Sequence, residues 1–254
     1  MVIKMKALIT GASSGIGRDM ARYLASKGYD LIVVARRRDR LEELKKELNV
    51  DVKIIELDLS IMDNVYKLYD LTKNDNIDLL VNNAGFGLFG DVLETSLDRE
   101  LEMIDLNVKT LHILTKLFVN DFVKRDSGRV LNVGSSAGFL VGPNLNTYYA
   151  TKNYVVKYTM GIYEELRQRK SNVHVSVLCP GPIKTEFESV AGGKFNALTA
   201  SSKKIAKYAI DKCLKNKLII IPGFGMKLVL FFTRFLPYKL ELKMVYNIQK
   251  RKTR

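Results

Sequence analysis

KALITGASSGIG, residues 6–17, is the stretch whose reading decides the fold. KALIT has the apolar, partly β-branched composition of a strand. Thr10-Gly11-Ala12-Ser13-Ser14-Gly15-Ile16-Gly17 follows at once, and residues 18–27 then show helical length and period. A strand that turns on glycines directly into a helix opens a βαβ unit. Further along, DLIVVA (30–35), VKIIEL (52–57), DLLVN (78–82), RVLNVGS (129–135), VHVSVLC (173–179) and LIIIP (218–222) read as further strands, with helical stretches between them. Strands with so little polar alternation are buried on both faces, which predicts an α/β fold. Right-handed crossovers make it a single doubly wound parallel sheet with helices on both faces. No Pro-, Gly- or Ser-rich linker and no internal repeat divides the chain, so residues 1–222 read as one domain followed by a different segment, 223–254.

In such a sheet, ligands sit beyond the carboxyl ends of the strands. At the first strand end, glycines allow a tight turn and close approach to a pyrophosphate, while the helix N-terminus offers free N–H groups and a positive dipole end. This makes Gly11, Ser13, Ser14, Gly15, Ile16 and Gly17 candidate dinucleotide-binding residues; an isolated glycine pattern would be no more than a turn. The second strand ends at Ala35, where an acidic residue would accept the ribose hydroxyls of NAD. Arg36, Arg37 and Arg38 follow instead, and a guanidinium fork suits a 2′-phosphate, so NADP(H) is expected over NAD. Arg36 is the first candidate ligand and Arg37 the second, while Arg38 and Arg40 read as a solvated helix start facing Glu42, Glu43 and Glu47.

The 254 residues are 47% apolar, enough for a large core. Cys179 and Cys213 stand apart, without the spacing of a disulfide framework or a zinc site, and fit a reducing, cytoplasmic compartment. MVIKMKALIT enters a strand pattern with no signal-peptide core ahead of it. The net charge of +14 is not spread evenly: residues 1–202 carry 27 basic and 25 acidic side chains, and 203–254 carry 14 and 2. One basic surface or tail therefore needs its own explanation. His112 and His174 fall in no motif and are expected to be structural.

Tyr148 and Lys152 lie at i and i+4 on a helical stretch, 148–169, and so share one face. A phenol is mostly protonated at neutral pH, and a nearby ammonium favours its phenolate, bringing it toward the range where proton transfer is efficient. Alone, Tyr-x-x-x-Lys is too common to mean anything. Here it stands in register with TGASSGIG at 10–17, Asp58 after the third strand, NNAG at 82–85, Asn107, Ser135 and PGPIKT at 180–185. Together these motifs resemble the short-chain dehydrogenase/reductase family over roughly residues 5–222, and they include every member of that family's catalytic tetrad.

The resemblance implies a Rossmann fold, an oxidoreductase and a set of roles. Tyr148 would exchange a proton with the oxygen of a carbonyl or alcohol substrate. Ser135 would hydrogen-bond the same oxygen. Lys152 would lower the Tyr148 pKa and hold the nicotinamide ribose, and Asn107 would position a proton-passing water beside it. Asp58 and Leu59 would meet the adenine, Asn82, Ala84 and Gly85 would line the cofactor groove, and Pro180, Gly181, Ile183 and Thr185 would hold the nicotinamide end. Ser136 and Tyr149 are neighbours that compete for the serine and tyrosine roles; family spacing selects Ser135 and Tyr148. Gly134 stands where the family usually has the first of two serines, which puts one supporting hydrogen bond in doubt.

After PGPIKT the family has a substrate loop, here 186–202, hinged at Gly192-Gly193 and carrying Phe187, Val190, Phe195 and Leu198. With Phe86, Leu88, Phe89, Phe139, Leu140 and Val141 these side chains predict an apolar pocket for a lipophilic ketone or alcohol, fatty-acyl or steroid-like; ordinary core packing is their alternative use. Residues 223–254 replace the family's short ending. Lys227, Arg234 and Pro237 break the apolar run below the ~20 residues a spanning helix needs. Aromatics interleaved with cations suit instead a helix at an anionic membrane surface, against packing over the pocket or at a subunit contact as the alternative. The family implies a homodimer or homotetramer. A non-catalytic, dinucleotide-responsive binding or regulatory protein is the competing reading, and the intact Asn107, Ser135, Tyr148 and Lys152 set argues against it. Specific nucleic-acid binding is not expected, since the cationic tail has neither a recognition motif nor a stacking platform.

Overall fold

The computed structural model describes residues 4–183, 186–187, 191–192 and 201–250. Seven parallel strands form one sheet in the order β3-β2-β1-β4-β5-β6-β7. They are β1 (Lys6–Thr10), β2 (Asp30–Ala35), β3 (Val52–Glu56), β4 (Leu79–Asn82), β5 (Gly128–Val133), β6 (Val173–Leu178) and β7 (Ile219–Ile220). Most end one or two residues before the apolar run does, because the chain leaves the sheet early to form the site loops. β7 keeps only the two residues that face Val177 and Leu178.

Successive strand residues point to opposite faces, and both faces are covered. Ala7, Ile9, Leu31, Val33, Leu79 and Val81 pack on one side against α1 (Gly15–Ser26), α2 (Arg38–Lys46) and α7 (Ser202–Leu214). Leu8, Ile32, Val34, Ile55, Leu80 and Val130 pack on the other against α3 (Met62–Thr72), α5 (Leu111–Lys124) and α6 (Asn146–Gln168). Two buried faces explain why the strands show no polar alternation. α4 (Leu97–Ile104) runs into α5 through a π-helical segment, Asp105–Thr110, and a 3₁₀ turn, Ser136–Phe139, precedes α6. α8 (Phe224–Thr233) and α9 (Tyr238–Lys250) complete the described chain.

The strand order reverses beside β1, so the loops after β1 and β4 diverge and leave a crevice at the carboxyl ends of the strands. Thr10 latches that crevice. Its Oγ1 accepts from Asn83 N and Ala84 N, both at 3.0 Å, while Asn83 Nδ2 donates to the carbonyls of Thr10 (2.9 Å) and Gly11 (3.1 Å). A Cβ at Gly17 would lie 2.3 Å from Asn83 Nδ2 and 2.4 Å from Gly11 O, so only glycine allows this closure.

Candidate active site

One cavity of about 430 Å³ runs along the crevice, from Arg36, Arg37 and Asp58 past the glycine turn to Tyr148, Lys152 and Gln249. Its size is that of a small-molecule site. At one end, α1 begins at Gly15 with no acidic residue in its first turn and no side-chain cap from Ser14. Its first N–H groups are therefore available to an anion. Arg36 and Arg37 border the same space. Arg36 Nη1 reaches Asp58 Oδ2 at 3.5 Å, while Arg37 Nη2 donates to Ser13 Oγ at 3.1 Å and to Glu186 Oε2 at 2.7 Å. Ser60 N and Oγ both donate to Asp58 Oδ1, which helps hold its carboxyl below the ordinary range against the opposing effect of burial. This set fits a dinucleotide: open N–H groups that a pyrophosphate could accept, with two guanidinium groups and a fixed carboxylate farther along the same cavity.

At the other end, α6 presents Tyr148 and Lys152 to the cavity from successive turns. Ser135, which caps the start of the 3₁₀ turn that follows β5, accepts from Ala137 N through its own Oγ at 3.1 Å. Burial pushes the Tyr148 phenol up to about 12, and a hydrogen bond from Ser135 acts against that rise. Lys152 is 5% exposed, its Nζ donates to Val133 O at 3.0 Å, and burial brings it down to about 8. The ammonium lies 5.9 Å from the centre of the Tyr148 ring. Desolvation leads both shifts, because burial disfavours the charged form of each group.

Asn107 lies in the π-helical segment, where the widened turn aims its amide at the loop after β4. Oδ1 accepts from Phe86 N (3.1 Å), and Nδ2 donates to Phe86 O (2.9 Å) and Thr151 Oγ1 (3.1 Å). A Cβ at Gly85 would sit 2.7 Å from Asn107 Oδ1 and 3.5 Å from Lys152 Nζ, so glycine is what lets the two approach this loop.

The structure brings together Gly11, Ser13, Ser14, Gly15, Ile16, Arg36, Arg37, Asp58, Leu59, Ala84, Gly85, Ser135, Tyr148, Lys152, Pro180, Gly181 and Ile183 along one cavity. Asn82 stands elsewhere. Its side chain points from β4 into the core, where Nδ2 donates to Thr115 Oγ1 and Asn132 Oδ1, and Asn83 takes the place at the groove. Gly17 supports the turn from beneath, and Thr185 lies outside the described residues. Of the expected apolar lining, Phe86 and Phe187 face the cavity, Phe139 packs in the core against Val155 and Val177, and Leu88, Phe89, Leu140 and Val141 are not among its walls. Val190, Phe195 and Leu198 lie outside the described residues. His112 stacks on Tyr158 at 4.5 Å, away from the cavity.

Among the wall residues that sequence reasoning misses are Arg99 and Gln249. Arg99 lies over the Phe86 ring at 4.7 Å. Gln249, on α9, is 2% exposed, and its Nε2 donates to Tyr149 Oη at 2.8 Å. On the same helix Glu241 Oε1 accepts from Val141 N at 3.2 Å. One signal was available: Glu241 is the single acid in residues 223–254, an odd choice unless it turns inward.

Comparison with known proteins agrees with this geometry. The family model described as short chain dehydrogenase matches residues 5–193. An uncharacterized oxidoreductase of Staphylococcus saprophyticus is 34% identical over 212 residues, covering 82% of each chain. An NADP-dependent 3-hydroxy acid dehydrogenase of Escherichia coli is 33% identical over 190 residues, 73% of this chain and 76% of the relative. A solved short-chain dehydrogenase from Sphingobium yanoikuyae, in complex with NADPH, superposes with a TM-score of 0.81 at 29% identity, over 87% of this chain and 88% of the other. Fold, crevice and matched sequence agree in one assignment: the chain belongs to the short-chain dehydrogenase/reductase family, a nicotinamide-dependent oxidoreductase with the family's doubly wound sheet.

Proposed function

We propose that this protein is an NADP(H)-dependent carbonyl reductase or alcohol dehydrogenase of lipophilic substrates, fatty-acyl or steroid-like. The observation that carries the reading is the single cavity in which the Tyr148 hydroxyl and Ser135 share space with the glycine turn and with Arg36 and Arg37. A bound nicotinamide supplies or accepts the hydride. Tyr148 Oη gives a proton to the substrate oxygen in reduction and takes it back in oxidation. Ser135 Oγ donates to the same oxygen and stabilises its developing charge. Lys152, fixed on Val133 O, supplies positive charge and an N–H donor beside the phenol. Asn107 keeps the loop after β4 closed on α6 and keeps a place for proton relay to Lys152. Phe187 packs on the Tyr148 ring at 5.3 Å and sheds water from the reacting end. Thr185 completes the nicotinamide end in this reading.

Residues 1–222 form the catalytic unit, with a substrate loop at 186–202, and 223–254 is an extension that closes the substrate side. Buried free thiols at Cys179 and Cys213 fit a cytoplasmic protein, and a homodimer or homotetramer is the assembly expected of the family. A peripheral membrane contact through 223–254 belongs to the same reading, because it would bring the pocket to where lipophilic substrates partition.

The test is a screen of carbonyl compounds, followed at the nicotinamide absorbance with NADPH and NADH in parallel. Turnover preferring NADPH and apolar ketones is expected. Tight dinucleotide binding with no turnover on any carbonyl would favour the non-catalytic reading instead.

Two substitutions probe cofactor choice. Arg37→Ala is expected to raise the KM for NADPH roughly tenfold to a hundredfold, the size of a charge-assisted phosphate contact, with NADH kinetics little changed. Equal losses with both cofactors would mean that Arg37 is structural. Glu186 has the opposite sign. Its carboxylate sits 2.7 Å from the Arg37 guanidinium, where a 2′-phosphate would bind, so Glu186→Gln is expected to lower the KM for NADPH. A raised value in stopped-flow or steady-state titrations would show that Glu186 assists the cofactor.

A further inference from the structure

α8 and α9 carry the most apolar exposed surface of the molecule. Twelve of the 21 exposed large apolar side chains among the described residues fall within 224–250, so this is a patch and not scatter. Phe224, Phe232, Phe235 and Tyr238 are 75%, 62%, 71% and 77% exposed. Only Leu230, Glu241 and Gln249 on these helices are buried. The pattern is the reverse of a surface helix that covers its own core.

The charges around the patch are of one sign. Lys227, Arg234, Lys239 and Lys243 are exposed, and the only acid of the segment, Glu241, is turned inward onto Val141 N. Over residues 223–254 the sequence holds eight cations and one acid. A second copy seated isologously on this face would set cation against cation with no carboxylate to answer. A surface that is apolar and anionic accommodates both features: aromatic side chains enter the acyl boundary, while lysine and arginine reach the headgroups. Among the described residues no helix is long and apolar enough to cross a membrane, so the contact lies in the plane of the interface.

We infer that α8 and α9 form a docking surface for an anionic lipid bilayer. The inward face of the same helices lines the substrate side: Met226 of α8 reaches the position a Cβ on Gly181 would take, at 2.7 Å, and Gln249 of α9 walls the cavity and holds Tyr149. Docking therefore sets the substrate end of the pocket at the bilayer, where a lipid-dissolved ketone is concentrated. The docking stands on this surface alone, and only the delivery of substrate rests on the redox function proposed above.

The experiment is co-sedimentation of the full chain with phosphatidylcholine vesicles, with and without phosphatidylserine, across a salt series. Binding is expected only with the anionic lipid and should weaken with salt. Phe232→Asp with Phe235→Asp should abolish it, and each charge reversal at Lys227, Arg234 or Lys239 should weaken it roughly fivefold. These side chains are outside the cavity, so the variants should keep their melting temperature and their turnover of a water-soluble ketone. Turnover lost in every form, with vesicle binding intact, would fail the redox reading and leave docking standing. Wild-type protein that stays in the supernatant overturns the inference. So does light scattering that shows a dimer which the two phenylalanine substitutions split, since the patch would then be covered by a second copy.

Discussion

Tyr148→Phe removes turnover while NADPH still binds. The substitution takes away one hydroxyl and leaves the ring, its 5.3 Å packing on Phe187 and the α6 backbone in place. The cofactor end of the cavity, at the α1 N-terminus and Arg37, is untouched. What is lost is, among the described residues, the only phenol set beside both Ser135 and Lys152. General acid–base catalysis of this kind contributes at least about a hundredfold, so kcat should fall by that factor or more with an unchanged Kd for NADPH by fluorescence titration. Tyr149→Phe is the control. Tyr149 Oη is engaged with Gln249 Nε2 on the substrate wall, so its loss should alter KM for the carbonyl more than kcat. If Tyr149→Phe alone were inactive and Tyr148→Phe retained full turnover, the assignment of the proton donor would be wrong.

The reasons these two tyrosines differ in legibility are physical. Tyr148 and Lys152 share a helix face through a local i, i+4 relation, and Ser135 follows a strand whose apolar run marks its end; both facts are present in the sequence. The same holds for the sheet, whose strands are apolar at consecutive positions because both faces are buried. The placing of Asn82 was also within reach. Leu80 faces the α3/α5 side, so a period of two puts Asn82 on that side too, inside the core with Thr115 and Asn132, and leaves Asn83 for the groove. By contrast, the contact of Gln249 with Tyr149 spans 100 residues, and no local pattern specifies which residue of a late helix will meet the pocket. The pKa balance is likewise tertiary: spacing places an ammonium near a phenol, but only the packing around both decides how strongly burial disfavours the charged form of each.

That balance leads to the other large effect, at Lys152. Lys152→Met should cut kcat at least about a hundredfold, through loss of the charge and N–H donor beside Tyr148, yet raise the melting temperature measured without cofactor at pH 7. Lys152 titrates from an ordinary 10.5 down to about 8 because its ammonium is buried, with Val133 O as its hydrogen-bond acceptor. Below pH 8 both folded and unfolded chains hold the proton, and the folded state bears the full cost of burying it. Between about 8 and 10.5 the unfolded chain holds a proton that the folded chain has released, so wild-type stability rises with pH across that window. Methionine fills similar volume without a charge and has no such dependence. A shift of this direction and size is worth roughly 3 kcal/mol, from which ~1 kcal/mol is offset by leaving the Val133 carbonyl without its donor. The stability gap between variant and parent should therefore be widest at and below neutral pH and close as pH climbs through 8 toward 10.5. A variant less stable than the parent by the same margin at every pH would show that the ammonium is well solvated where it stands, and that the low-dielectric site on which the proposed proton transfer depends does not exist.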